Sequence, residues 1–262
     1  MTGLPRITVI TPSFNQGEFI EQTIRSVLDQ GYPNLEYLVM DGGSTDCTLE
    51  VLERYKGQLQ YVSEPDRGQS HAINKGLHMA SGEILCYLNS DDLLAPGALQ
   101  KVGYFFWAHP QAHWLTGRCR MVDENGNEVR RSITLYKNLW LSTRSRLVLA
   151  ILNYISQPAT FWTRQVVEQV GYFSEHWNYA MDYEYWLRIG KQYPLYVLNE
   201  DLAHFRVHSK SKGGTGAVRQ FEEQLLIARR YVQSPLLLSL HRMHNALILW
   251  VYHRLQARTQ AR

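Results

Sequence analysis

The chain is poor in cysteine: Cys47, Cys86 and Cys119 stand far apart, with no CxxC spacing. That argues against a zinc site or a disulfide framework and suits a reducing compartment. Long apolar runs are missing too. A spanning helix needs about 18 or more such residues, and the nearest approach, Pro235 to Tyr252, is interrupted by Arg242 and interrupted or flanked by three histidines. The start, MTGLPRITVITPSFN, has no apolar core behind a basic segment, so no secretory signal is expected. Charge of one sign is scarce: the net value of +3 gives no argument for a nucleic-acid partner. There are no internal repeats and no low-complexity tracts. What remains is a globular chain of 262 residues with 45% hydrophobic content, enough for one ordinary domain or a domain plus an extension.

The first ninety residues alternate between two periods. Short apolar runs at Ile7–Thr11, Leu35–Met40, Gln60–Ser63 and Ile84–Leu88 read as strands, and Gln16–Gln30, the segment from Ser44 or Thr45 to Tyr55, and Gln69–Met79 read as helices. This order predicts an α/β fold with a mostly parallel sheet flanked by helices. Three strands end in polar clusters: Thr11-Pro12-Ser13-Phe14-Asn15, Asp41-Gly42-Gly43-Ser44 and Asn89-Ser90-Asp91-Asp92. In a parallel sheet all three gather on the edge where such folds bind ligands. Adjacent carboxylates repel unless a cation, a positive side chain or water separates them, and a divalent metal carrying a diphosphate would suit Asp91 and Asp92. A helix cap for the segment starting near Pro96 is the competing reading.

Beyond Leu94 the pattern is less regular. Pro96–Trp107 reads as a helix and Trp114–Val122 as a strand. Asp123–Asn127 reads as a hairpin turn, with Glu128–Leu135 returning antiparallel. Leu139–Tyr154 is aliphatic with Arg144 and Arg146. Gln157–Thr163 reads as a strand, Arg164–Val170 and Asp182–Lys191 as helices, and Tyr196–Leu198 and Leu202–Val207 as two short strands. Lys210–Ala217 is a glycine-bearing basic segment, a lid or a linker. From Val218 onward two helices are expected, broken near Pro235. The second, basic and amphipathic, suits a membrane interface, packing on its own domain, or a second copy of the chain.

The edge clusters in this order resemble the family 2 glycosyltransferases of GT-A fold. So do Ser26–Gln30, Asp41–Asp46, Glu64–Gly68, Asn74–Gly76, Ala80–Glu83, Gly171–Phe173 and Asp182–Arg188. The subgroup is the one that includes bacterial surface-polysaccharide transferases. The resemblance covers roughly residues 5 to 210. It implies a GT-A, Rossmann-like domain over 1–215, with a donor half to about 95, an acceptor half to 215, and a helical extension over 216–262. It implies inverting transfer from a nucleoside diphosphate sugar, with UDP or dTDP as carrier, to a glycan or polyprenyl-linked acceptor, with Mn²⁺ or Mg²⁺. The location implied is cytoplasmic, on the inner face of a membrane.

On that reading Thr11, Pro12, Ser13 and Asn15 lie against the nucleoside and Asp41 takes the base imide. Asp66, Arg67, Asn74, Lys75 and Ser90 line the base and diphosphate. Asp91, Asn89 and His208 are placed at the metal, Gln157 and Trp177 at the acceptor, and Asp182 is the catalytic base. Trp162 is either a sugar platform or core, and Arg188 a structural ion-pair partner. Two positions depart from the family pattern: Asn89 stands where an aspartate is usual, and Met181 where a glutamate is. A sugar nucleotidyltransferase and a non-catalytic nucleotide-sugar-binding module are the alternatives. Against the first, no glycine-rich phosphate loop bearing Arg and Lys follows the first strand.

Overall fold

The computed structural model describes residues 3–209 and 216–260. Its eight strands are β1 (Ile7–Ser13), β2 (Leu35–Asp41), β3 (Gln60–Ser63), β4 (Ile84–Tyr87), β5 (Leu93–Leu94), β6 (Trp114–Val122), β7 (Thr160–Thr163) and β8 (Tyr196–Arg206). The helices are α1 (Ile20–Leu28), α2 (Thr48–Arg54), α3 (Gln69–Met79), α4 (Ala98–Ala108), α5 (Arg131–Leu141), α6 (Arg146–Ile151), α7 (Arg164–Val170), α8 (Met181–Gln192), α9 (Ala217–Tyr231) and α10 (Pro235–Gln260). One sheet runs β3-β2-β1-β4-β7-β6-β8-β5. Only β7 and β5 run against their neighbours. The chain leaves β1 toward β2 and β3, then returns to β4 on the other side. The switch point therefore lies between the C-terminal ends of β1 and β4.

Two apolar layers hold this sheet. Ile7, Val9, Val39 and Cys86 face a layer with Ile20, Ile24 and Val27 of α1 and Leu99 and Val102 of α4. Ile10, Leu38, Met40 and Leu85 face α3 and the aromatic cluster of Trp114, Trp162, Trp186 and Tyr185. The Ala80–Glu83 motif has a mechanical role. Buried Glu36 accepts from Thr8 Oγ1 (2.5 Å) and from Ser81 N and Oγ (2.6 Å each), while Gly82 N donates to Thr8 Oγ1 (2.9 Å). Burial pushes the Glu36 carboxyl upward, but these donors outweigh it, and the pKa falls below the ordinary value. A Cβ on Gly82 would stand 2.4 Å from Thr8 Oγ1 and 2.7 Å from Thr8 N. Gly82→Ala should therefore destabilise the fold by about 1–3 kcal/mol, seen as a lower urea midpoint.

Several local expectations are corrected. β1 continues through Pro12 to Ser13, because its pairing with β4 ends at Ile10 while its pairing with β2 runs on to Asp41. The Asp123–Asn127 turn forms, but Glu128 makes only an isolated bridge to Val122 before α5 begins. β6 already has β7 on one side and β8 on the other, so no edge is open for a returning strand. The two short strands near residue 200 are one, β8, with a register shift around Arg118. Gln157–Ala159 is a 3₁₀ turn leading into β7. The second helix starts at Thr48 after Cys47; Asp46 Oδ1 accepts from Thr48 N (3.0 Å), and neither Ser44 nor Thr45 caps it. Of the expected Lys210–Ala217 segment, 210–215 lie outside the described residues. All three cysteines are free. Among the described residues no helix is long and apolar enough to cross a membrane.

Candidate active site

The loop after β1 is stitched to the turn after β2. Asn15, in left-handed conformation (φ 52°), donates its N–H to Ser44 Oγ (2.7 Å) and accepts from Thr45 N on its side chain (2.8 Å). Asn tolerates this region because its short polar side chain can bond locally. Gln16 N and Gly17 N donate to Thr48 Oγ1 and Asp46 Oδ2. Asp41 is the centre of the turn. It is fully buried, and its carboxylate accepts from Gly43 N, Ser44 N, Ser44 Oγ and Ser63 Oγ. In this conformation the Asp41 carboxylate is closed off from solvent by its own turn and by Ser63. Asp66, beside that turn, is partly exposed, and a Cβ on Gly42 would come 2.7 Å from its Oδ2. Exposed Phe14 borders the same space.

At the end of β4, Asp91 and Asp92 do different things. Neither caps α4, which starts at Ala98 after a left-handed Gly97. Asp92 is fully buried and accepts from Arg206 N (3.0 Å) and Asn89 Nδ2 (3.1 Å). Burial, with the Asp91 charge added, pushes its pKa well up. Asp91 stays 20% exposed, with Oδ2 3.0 Å from His208 Nε2. The Arg206 guanidinium lies over Phe19 (5.2 Å), with both terminal nitrogens buried and without hydrogen-bond partners among the described residues. Among the described residues no three His, Cys, Asp or Glu side chains gather around one point. Asp91, partly exposed, nevertheless fits a hard cation that takes its other ligands from diphosphate and water, and His208 Nε2 would join it by giving up its bond to Asp91. Asn89 fits less well: its amide oxygen accepts from Gln69 Nε2 (2.6 Å) and its NH₂ faces Asp92 and Gln157.

Asp182 opens α8. It accepts from Tyr183 N (2.7 Å) and from Asn153 Nδ2 (3.2 Å). Although it lies at a helix start, burial pushes its carboxyl above the ordinary value, with the Lys137 charge pulling the other way. Lys137, on α5, is itself pushed down by burial and sends its ammonium toward Ile155 O (3.4 Å). Tyr87, the last residue of β4, feels both Asp182 and Asp92 electrostatically. The N-terminus of α3 touches both regions: Gln69 reaches Asn89, and Ser70 Oγ reaches Met181 Sδ (2.7 Å). Met181, buried in the core, thus presents a neutral sulfur acceptor where the family pattern has a charge.

Other expected residues are engaged by neighbours in the fold, most of them buried, though Arg67 is exposed. Thr11 Oγ1 pairs with Tyr37 Oη, Pro12 and Ser13 are buried in β1, and Ser90 O accepts from Thr23. Asn74 clamps both backbone groups of Phe173 (2.9 and 3.0 Å). Lys75 pairs with Glu64 and Arg67 with Glu175. Gln157 is buried, donates to Tyr87 O (2.6 Å) and supports Asn89, so it shapes the β4 end rather than facing an acceptor. Trp177 and Trp162 are core residues, not sugar platforms. Arg188 is the ion-pair partner expected: it binds Glu184 and closes the end of α7 through Val170 O and Tyr172 O. Lys137, Asn153 and Arg206 were not singled out in the sequence. Lys137 and Asn153 fall in irregular-looking stretches with no motif to mark them, and all three owe their roles to partners distant in sequence.

The fold and this edge define a sheet-edge nucleotide-sugar transferase of the GT-A type. The chain matches Glycosyl transferase family 2 over residues 8–171, and it belongs to that family. It is 30% identical over 214 residues to the putative teichuronic acid biosynthesis glycosyltransferase TuaG of Bacillus subtilis, covering 79% of this chain and 81% of that one. It is 32% identical over 193 residues to an uncharacterized glycosyltransferase of Mycobacterium tuberculosis (72% and 70% covered). Among solved structures it is similar in fold to the mannosyltransferase PcManGT from Pyrobaculum calidifontis in complex with GDP-Man and Mn²⁺. There the TM-score is 0.68 and the identity 24%, with 94% of this chain and 70% of that one covered. It is also similar to S. aureus TarS 1-349 in complex with UDP-GlcNAc, with TM-score 0.66, 20% identity, and 88% and 67% covered.

Proposed function

We propose that this glycosyltransferase moves a sugar, with inversion, from a uracil or thymine nucleoside diphosphate to a hydroxyl of a glycan or polyprenyl-linked acceptor in surface-polysaccharide assembly. The observation that carries this reading is a division of labour on one sheet edge. Asp91, 20% exposed and paired with buried His208, stands beside β4, and Asp182, raised in basicity by burial and flanked by Lys137 and Asn153, stands at α8. The acceptor oxygen forms its bond to the anomeric carbon as that carbon's bond to the diphosphate oxygen breaks. The hydroxyl proton goes to Asp182, and the electron pair leaves with the diphosphate. Proton removal by a placed carboxylate is worth about 10²–10⁴-fold in rate. Mn²⁺ or Mg²⁺, held by Asp91 and His208, would act as a Lewis acid on the leaving diphosphate.

The TuaG relative's role in teichuronic acid biosynthesis supports a surface glycan, and the UDP-GlcNAc and GDP-Man complexes of the structural neighbours support a nucleotide-sugar donor. We assign the imide contact to Asp66, because Asp41 is engaged by its own turn. Residues 1–215 form the catalytic unit on this reading, with 216–262 as its extension. The test is calorimetric binding of UDP, dTDP, GDP and their sugars with and without Mn²⁺. Pyrimidine diphosphates should bind, more tightly with metal, and Asp66→Asn should weaken them by about tenfold or more, the scale of one hydrogen bond to a charged group. Absence of nucleotide binding would remove the reading; unchanged affinity in Asp66→Asn would return the imide to another group.

A further inference from the structure

Helices α5, α6 and α10 form a face that the sugar-transfer chemistry does not use. Between α5 and α6 on one side and α10 on the other runs a groove of about 470 Å³, lined almost wholly by carbon, with Trp140, Ile151, Leu152, Leu240, Met243 and Leu247 in its walls. Large apolar side chains on the same helices stand in the open: Leu147 is 65% exposed, Met243 68%, Leu247 57% and Trp250 52%. Clusters of this kind on a soluble domain mark a contact surface. α10 is not a loose tail. Its buried His241 bonds Ala150 O (3.2 Å) and its buried Asn245 bonds Phe221 O (3.3 Å), so one side is packed down and the other is left exposed.

The charge around this groove selects the occupant. No Asp or Glu occurs between Glu128 and Glu168, while that stretch holds five arginines and one lysine; none occurs after Glu223, where six arginines follow. These two stretches supply α5, α6 and α10. Arg144, Arg146 and Arg242 are exposed beside the groove, and the Arg254 guanidinium lies 4.3 Å over the Trp250 ring. An apolar trough rimmed by cations and without carboxylates complements an anionic lipid surface.

The groove wall is also tied to the base through the chain that follows α6. Ile151 and Leu152 line it, and the next residue, Asn153, donates to Asp182. Tyr183 Oη, beside Asp182, bonds Ala150 O of the same short helix (3.4 Å). We infer that the α5–α6–α10 face docks on an anionic bilayer and that the groove takes a lipid chain, presenting a membrane-held acceptor to Asp182. The acceptor clause rests on the proposed glycosyl transfer; the docking does not.

The test is sedimentation of the full chain with vesicles of phosphatidylglycerol or of phosphatidylcholine alone, without donor. Binding to the anionic vesicles should exceed that to the neutral ones by about tenfold or more at low salt and fall as salt rises. Met243→Glu/Leu247→Glu should abolish it while calorimetric UDP binding is retained, which separates loss of docking from loss of fold or of the donor reading. Sedimentation unchanged in the double variant, or equal on both lipids, would overturn the proposal. So would a dimer in analytical ultracentrifugation that the same variant dissociates with no vesicle binding by the parent, since the face would then join two copies.

Discussion

Asp182→Asn should lower glycosyl transfer by about 10²–10⁴-fold, the scale of general-base assistance, and leave nucleotide binding in place. The amide keeps the size of the carboxyl but cannot accept the hydroxyl proton. Two further readouts separate this from a merely structural role. First, the acid limb of kcat/KM in the parent should lie above the ordinary carboxylate value, because burial raises Asp182. The Lys137 charge restrains that rise, so Lys137→Met should move the limb to still higher pH.

Second, the sign for stability is opposite to that for activity. A carboxyl whose pKa is raised by folding favours the native state below its unfolded pKa, and that contribution is lost as pH rises through the folded pKa. Above its folded pKa the ionised Asp182 is therefore a cost, and there Asp182→Asn should melt no lower than the parent. The difference should vanish in acid, where Asp182 is protonated. Unchanged turnover in Asp182→Asn would remove this residue from the mechanism.

Trp162→Ala should cost about 3–5 kcal/mol in urea unfolding, the range for a fully buried tryptophan, against a total stability of about 5–15 kcal/mol for a typical domain. Trp162 sits at the crossing of β4, β7 and β6, paired in register with Leu85 and Trp114. Its ring meets Tyr87 at 6.4 Å, Phe173 at 5.9 Å, and Tyr185 and Trp186 at 5.7 Å each. Tyr87 leads directly into Asn89 and Asp91, and Tyr185 and Trp186 belong to the helix that carries Asp182. The same ring thus braces both halves of the site from behind. Trp162→Phe should cost much less: it keeps most of the packing and removes a buried indole N–H that has no partner. A stable Trp162→Ala with a raised acceptor KM would instead make the ring a sugar platform.

The sequence by itself determined the alternation of strands and helices through β4 and the gathering of polar clusters on one edge. Both follow from local physics: a period of two or of 3.6 fixes which face of each element is apolar, and parallel strands share one C-terminal edge. The pair Asp91 and Asp92 at the end of a strand is legible in the same way, whereas Asp182 and His208 were marked only by the resemblance to a family. Tertiary structure decided which polar groups remain open to a ligand. A carboxylate or amide has few bonding positions, and a partner far away in sequence can fill them. Ser63, 22 residues on, helps close Asp41, and Phe173, 99 residues on, takes Asn74. The neighbours of β6 likewise turned an expected strand into α5, and with it brought Lys137 to the base and an apolar wall to the surface. Local patterning sets which residues reach the edge, but bonding capacity and space are shared across the whole fold, so their final use is written only in three dimensions.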